Sequence, residues 1–490
     1  MKHAAVIGSG IAGIAAALRL RAKGYAVCVF DKNKYTGGKL SEIRLGEYRF
    51  DAGPSLFTLP HQVDELFQLF AENPRDHFNY QKLETVCNYF WDDGTRLNAS
   101  GNSDEFVRNA AQTFAVQENT IRRYLDKSKF IYETTAPVFL DQSLHRTQNF
   151  INFRTLKGIL RMPFLGIFGK LHHANVKQLQ HEKLIQLFNR YATYNGSDPY
   201  RAPAVLQSIP HLEFHTGAWL PKGGMQAITR SLTDLAIRQG IDFKLSTEVQ
   251  KICVENNRVV GIEAGTTLHK ADVIVCNSDV FTAYRSLLSE FKAPERILRQ
   301  ERSSSAFIFY WGIKKQFAQL DAHNIFFSVD YREEFRLLFE RKTLSDDPTV
   351  YVHITSKHEK NDAPNTCSNW FVMVNVPGDT GQDWENLRSK IRTSILKKLE
   401  RNLGEAIEPL IEVEDYLDPR RIAERTFSHQ GSLYGASSNS MFAAFLRHSN
   451  QSSSIRNLWF CGGSVHPGGG IPLCLKSAKI AASMIPKANR

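Results

Sequence analysis

Six residues, Gly8-Ser9-Gly10-Ile11-Ala12-Gly13, have the types and spacing of a phosphate-binding turn, and Asp31 has the type and position of a ribose ligand. Gly8 permits a tight turn, Gly10 lets the backbone approach a pyrophosphate, and Gly13 lets the following helix pack closely on its strand. Free N–H groups at the start of that helix attract the phosphate charge. Asp31 follows Gly13 by about 18 residues, close to the spacing at which a carboxylate takes ribose hydroxyls. The chemistry implied is retention of a dinucleotide. The elements that position these groups are a strand through Ala4-Ala5-Val6-Ile7, a helix, and a second strand through Cys28-Val29-Phe30. A secretory signal ending near Ala22 is the competing reading of this apolar stretch. Arg19 and Arg21 interrupt its cleavage region, and signals lack the glycine spacing.

Beyond these elements, the pattern predicts a glycine turn at Gly37-Gly38 and an extended stretch through Phe50-Asp51-Ala52-Gly53-Pro54-Ser55. From about Leu83 to Pro210 it reads as mainly helical, like an inserted unit. Alternating α/β character returns at Trp219-Leu220-Pro221-Lys222-Gly223-Gly224. Short strands are expected near Phe243, Val249 to Val254, Val259 to Ile262 and Val273 to Cys276. The β-branched and aromatic residues from Ser303 to Pro377 predict a second sheet. A helix from Trp384 to Leu403 follows, then Leu458-Trp459-Phe460-Cys461, a glycine-rich turn and another helix. No second complete GxGxxG motif appears, so one dinucleotide must suffice.

The 490 residues, 42% hydrophobic and 23% charged, are enough for two or three packed units around a large core. No apolar run reaches the roughly 18 to 20 residues that cross a bilayer. Seven cysteines, odd in number and without CxxC spacing, read as reduced thiols of a cytoplasmic protein. The net charge of +11 suits nucleic acid or an anionic membrane surface equally on electrostatics alone. There is no helix-turn-helix, zinc or RNP signature, which argues against nucleic acid, and no other metal-ligand spacing stands out. Basic residues concentrate between Phe150 and Lys177, where Phe150 to Lys170 interleaves large apolar side chains with cations. That pattern fits insertion into a lipid headgroup layer, and equally a buried helix pair with solvated basic edges.

Gly37-Gly38-Lys39 and Asp51-Ala52-Gly53-Pro54-Ser55, together with Gly462-Gly463-Ser464-Val465-His466-Pro467-Gly468-Gly469-Gly470-Ile471-Pro472, resemble the carotenoid and phytoene desaturases of the flavin-containing amine oxidase superfamily. Further matches are Gly217 to Met225, Ala271 to Asp279 and Gly431-Ser432-Leu433-Tyr434-Gly435. Gly435 to Asn439 with Ala443 to His448 is more similar to bacterial hydroxycarotenoid 3,4-desaturases than to enzymes acting on phytoene itself. The resemblance implies FAD in a Rossmann-like α/β domain (1–80, 217–300 and 420–490), and a mixed-sheet substrate domain (81–120, 190–216 and 301–419). It also implies a helical, membrane-associating subdomain (121–189). The flavin-binding set it implies is Gly8, Gly10, Ile11, Ala12, Gly13, Asp31, Lys32, Gly38, Lys39, Gly53, Pro54, Ser55, Val249, Asn277, Gly463, Gly470 and Ile471. One departure stands out: Phe153-Arg154-Thr155 occupies the place of a Phe-Arg-Asp motif, so any mechanism needing that acid is in doubt.

The implied reaction is desaturation at C3–C4 of an acyclic, 1-hydroxylated carotenoid end group, with hydride passing to flavin N5. Hydride leaves first, because the allylic hydrogens are far too weakly acidic for a protein base, and the conjugated polyene spreads the resulting positive charge. A modest base then takes the adjacent proton. The candidates are Glu213, at a glutamate position of the desaturase group, and His466, beside the flavin turn. The alternative for Glu213 is a structural carboxylate paired with a nearby arginine. N–H groups around Gly470 and Ile471 suit the charge of a reduced flavin. Oxygen or a membrane quinone is the expected electron acceptor, and the expected place is the cytoplasmic side of the inner membrane, peripherally bound. Three alternatives remain open: a phytoene desaturase, a flavin amine oxidase, and a non-catalytic isoprenoid-binding protein.

Overall fold

A computed structural model describes residues 1–146, 165–166, 169–440 and 446–489. Phe153-Arg154-Thr155, most of the basic apolar stretch from Phe150 to Lys170, and Ala443 to Phe445 lie outside the described residues.

The strands His3–Ile7, Ala26–Phe30 and Val273–Cys276 are near-continuous apolar runs, as strands buried on both faces must be. With Leu458–Phe460 and Asp242–Lys244 they form a five-stranded parallel sheet. Its order is Leu458–Phe460, Val273–Cys276, His3–Ile7, Ala26–Phe30, Asp242–Lys244. Ile7 lies opposite both Phe30 and Cys276, and Cys276 lies opposite Phe460. Four strands therefore end level with one another. Helix Ile11–Ala22 packs between this sheet and helices Gln226–Arg238 and Ile471–Met484. The buried Ala12, Ala15, Ala16 and Ala17 let those neighbours approach closely.

The second sheet has seven strands in the order Ile411–Leu417, Ser305–Ile313, Ser368–Val376, Val350–His353, His323–Phe326, Thr85–Phe90, Arg96–Ser100. All pairings are antiparallel except His323–Phe326 with Thr85–Phe90. Ser305–Ile313 is buried along its whole length. Trp311, Trp370 and Trp384 fill the core between this sheet and helix Trp384–Leu403, whose observed bounds match those expected. The expectation of mainly helical structure from Leu83 is corrected at its start. Residues 85–100 are a hairpin, turning through Trp91-Asp92-Asp93-Gly94, and helices begin at Ser103. Asp93-Gly94 between aromatic and β-branched residues is a hairpin signal that the longer helical pattern downstream masked. Among the described residues no helix is long and apolar enough to cross a membrane.

The two sheets are tied together by a buried charge cluster. Arg49, on the strand Tyr48–Asp51, reaches Asp51 at 2.7 Å and Asp362 at 3.0 Å, all three side chains being almost wholly buried. Asp51 also accepts from the backbone N–H of Met225 at 2.9 Å, just before helix Gln226–Arg238. The first residue of the Asp51-to-Ser55 motif thus fixes where the rest of the motif passes. Replacing Arg49 by Met strands two buried carboxylates, and the expected loss is about 3–5 kcal/mol in urea-unfolding measurements. Arg49→Lys, which keeps a cation, is expected to recover part of it.

Candidate functional site

Because the strands of the parallel sheet end in register, the residues that follow them meet at one edge: Gly8 after Ile7, Asp31 after Phe30, Asn277 after Cys276, and Gly462 just past Phe460. Backbone bonds fix the alignment, with Gly8 N–H donating to Phe30, Asn277 N–H to Ile7 and Cys461 N–H to Cys276. This carboxyl edge is where open α/β sheets bind their ligands. It opens into a cavity of about 750 Å³ that continues under the second sheet.

The residues at this edge fit a dinucleotide. Helix Ile11–Ala22 has no side-chain cap and no acidic residue in its first turn, so its leading N–H groups are free for an anion. A Cβ on Gly13 would lie 2.0 Å from the Gly8 carbonyl oxygen, so the helix sits as close to its strand as a backbone allows. Asp31 accepts at 2.7 Å from both the N–H and the hydroxyl of Ser9, and at 2.8 Å from the N–H of Asn33. The carboxylate is thereby held facing the cavity rim. Lys32 lies 3.2 Å from the centre of the Phe427 ring, which lines the same end.

At the same glycine turn, Gly37 N–H donates to the Ser9 carbonyl at 2.9 Å, bringing Gly38 and Lys39 beside it. Lys39 Nζ donates to the carbonyls of Ser432 and Leu433, both at 3.0 Å, and burial pulls its ammonium down to about 8. Helix Ile471–Met484 begins at the cavity wall without a side-chain cap, preceded by Gly470. The buried Arg447 guanidinium lies under Gly468 and donates to the Ala436 carbonyl at 3.0 Å, supporting this turn from behind.

Of the expected site residues, Gly8, Gly10, Ile11, Ala12, Asp31, Lys32, Gly38, Lys39, Gly53, Pro54, Ser55, Val249, Asn277, Gly463, Gly470, Ile471 and Glu213 all line this one cavity. Gly13 stands behind it, where its packing role places it. His466 is not brought there. Its Nε2 donates to the Gln142 carbonyl at 2.9 Å and the ring is buried outside the cavity lining, with burial pulling it down to about 4. The ring therefore stands apart from the residues that line the cavity.

Glu213 lies in the wall but is fully engaged. Arg190 donates to it at 3.1 Å, Tyr191 at 2.5 Å, and Tyr194 also donates to it. This is the structural alternative that the sequence left open. Arg190 is itself buried; burial opposes its charge, but Glu213 beside it holds the guanidinium above its ordinary range. Around the pair, Cys87, His323, Tyr351 and Ser55 complete a polar part of a wall otherwise made of residues such as Val86, Ile308, Ile325, Phe371 and Met373. Arg190, His323 and Tyr351 belong to no motif, and only the fold brings them together.

The Gly13 contact yields a direct test. Gly13→Ala is expected to push the helix off its strand, weaken FAD binding at least about tenfold and lower stability by about 1–3 kcal/mol. FAD titration and thermal melts of the variant measure both.

A family model described as flavin containing amine oxidoreductase matches residues 11–485. The chain is 55% identical over 489 residues to a 1-hydroxycarotenoid 3,4-desaturase from Flavobacterium sp. (strain P99-3), covering all of both chains. It is 30% identical over 492 residues to a 4,4'-diapolycopene oxygenase from Methylomonas sp, covering 98% of this chain and 97% of the relative. An oxidoreductase from Methanosarcina mazei shares the fold, with a TM-score of 0.65 at 14% identity, covering 97% of this chain and 99% of that one. An uncapped helix start, a carboxylate at the cavity rim and a half-buried lysine on one cavity agree with these likenesses: the chain belongs to the flavin containing amine oxidoreductase family and is an FAD-dependent oxidoreductase.

Proposed function

We propose that this protein desaturates an acyclic, 1-hydroxylated carotenoid at C3–C4. The observation that carries the reading is the continuous cavity. Its one end has the features of a dinucleotide cradle, and the other, under the seven-stranded sheet, sets apolar side chains such as Val86, Ile308, Ile325, Phe371 and Met373 beside polar ones that include Arg190 and Glu213. The full-length similarity to a 1-hydroxycarotenoid 3,4-desaturase supports it. The residues in the cradle are proposed to hold FAD as expected from the sequence, with Gly13 acting from behind.

Bound FAD supplies a two-electron acceptor that takes hydrogen as hydride. The chain's own residues align and seclude the substrate. Val86, Ile308, Ile325, Phe371 and Met373 exclude water from an extended hydrocarbon, and near-contact alignment supplies much of the rate. One C–H would leave with its electron pair, the neighbouring C–H would leave as the proton that balances the charge of the reduced flavin, and the remaining pair would form the new π bond. Both electrons and both protons would then go to oxygen or a quinone. A peripheral position on a membrane, through the basic apolar stretch near 150–170, would place substrate and quinone within reach.

The acceptor positions of Glu213 are filled by Arg190, Tyr191 and Tyr194. Its proposed part is therefore positional: it anchors Arg190 and the two tyrosines that shape the wall beside the substrate. Removing a partner from a buried charge pair disturbs every group that faced it.

Anaerobic mixing of the FAD-loaded protein with a 1-hydroxylated acyclic carotenoid is expected to bleach the flavin bands and give a product with a longer conjugated chain. Bleaching by phytoene and not by hydroxylated carotenoids would overturn the substrate assignment, and peroxide formation from amines would favour an amine oxidase. Glu213→Gln is expected to retain FAD yet, by leaving Arg190 without its buried partner and loosening the wall beside the substrate, slow single-turnover flavin reduction at saturating carotenoid by at least about tenfold. An unchanged rate would remove Glu213 from the reaction.

A further inference from the structure

An all-hydrocarbon ligand needs no hydroxyl or imidazole in its wall, and burying such groups without partners is costly. Yet the wall of this cavity carries a hydrogen-bonded file. Ser55 Oγ lies 2.7 Å from Tyr351 Oη, which lies 2.7 Å from His323 Nδ1. His323 is buried, its ring stacked on His353 with centroids 4.7 Å apart, and burial pulls it well below the ordinary histidine range, so it stays neutral. Ser55 and Tyr351 are half-buried and line the cavity.

A neutral imidazole lets this file run in either sense. If His323 Nδ1 accepts, Tyr351 donates to it, Ser55 donates to Tyr351, and the Ser55 oxygen keeps free lone pairs. If Nδ1 carries the hydrogen, each bond reverses and the Ser55 hydroxyl has a hydrogen to donate. The cavity end of the file can therefore accept from, or donate to, a ligand hydroxyl.

The file also stands where such a hydroxyl would be. Ser55 is two residues beyond Gly53, whose Cα faces the Lys39 carbonyl so closely that a Cβ there would lie 2.3 Å from the oxygen. Lys39 is in turn two residues from Gly37, which is bonded to Ser9 of the glycine turn. The polar file therefore adjoins the cofactor cradle. In a carotenoid hydroxylated at C1, the oxygen is at most four bonds from C4, or about 5 Å, so the group that recognises it must sit beside the bond being oxidised.

From this juxtaposition we infer that Ser55, Tyr351 and His323 form the subsite that binds the C1 hydroxyl and selects hydroxylated over plain hydrocarbon end groups. The inference rests on the carotenoid desaturase reading above. In it, the hydroxyl bond sets the depth to which the chain slides and so decides which carbons face the flavin. Sites built to bond a substrate hydroxyl discriminate strongly against the analogue lacking it, because their own polar groups are then left unpaired.

The test uses the FAD-loaded protein with a 1-hydroxylated acyclic carotenoid and its counterpart without the hydroxyl. Anaerobic flavin bleaching reads turnover. Equilibrium binding of the two corresponding 3,4-desaturated products, by quenching of protein fluorescence, reads recognition without turnover. The wild type is expected to prefer the hydroxylated member of each pair. Tyr351→Phe is expected to cut that preference by about tenfold to a hundredfold, with the flavin spectrum retained. Ser55→Ala, at the cavity end of the same file and beside the FAD cradle, is a second variant expected to cut it similarly, with FAD titration showing that cofactor binding is retained. A wild type with no preference, or a preference untouched in both folded variants, overturns the subsite and leaves the desaturase reading standing. A wild type bleached by neither carotenoid overturns both.

Discussion

The in-register ending of four parallel strands is the constraint on which the rest of this molecule depends. Gly8, Asp31, Asn277 and Gly462 are far apart in the sequence, and no side-chain interaction could assemble them unaided. Backbone pairing of Ile7 with Phe30 and Cys276, and of Cys276 with Phe460, does so, and the next residue or two of each chain segment necessarily emerge at one rim. The uncapped start of helix Ile11–Ala22 then points its donors at that rim. The contact at Gly13, closer than any side chain permits, keeps the helix from backing away. A second uncapped helix start, at Ile471, opens on the same space.

The buried Arg49 cluster transmits this placement to the second sheet. Asp51 bonds both Arg49 and the backbone ahead of helix Gln226–Arg238, so the segment leading to Ser55 is fixed relative to the parallel sheet at its origin. Tyr310, in the middle of Ser305–Ile313, donates to the Ala52 carbonyl at 2.7 Å and ties the same segment to the other sheet. Two sheets of different architecture thus share one rigid strap, and the cavity is the space on either side of it.

Much of the parallel sheet and its rim was legible in the sequence, because the relevant signals are local: apolar runs, glycine spacing, an acidic residue after a strand. The helix Trp384–Leu403 was equally plain. The hairpin at 85–100 was missed because Asp93-Gly94 is a short signal beside a long helical pattern. Adjacency to a glycine turn does not say which way the His466 ring points; here it turns to the Gln142 carbonyl. Glu213 was placed in the right wall, but its partners Arg190, Tyr191 and Tyr194 come from another element. A buried ion pair between segments leaves no periodicity to read. The same holds for His323 and Tyr351, whose strands meet side chain to side chain only in the assembled sheet.

The strand order has a consequence for biosynthesis. Leu458–Phe460 adds to the sheet beside Val273–Cys276, and helix Ile471–Met484 packs on helix Ile11–Ala22. On a ribosome, roughly 20 to 90 seconds separate the emergence of the glycine turn from that of these partners. Throughout that interval the nascent polypeptide has only part of the pocket and a raw apolar flank. A complete coenzyme pocket therefore forms only near the end of synthesis, and until then the alanine-rich helix lacks the neighbour that covers it.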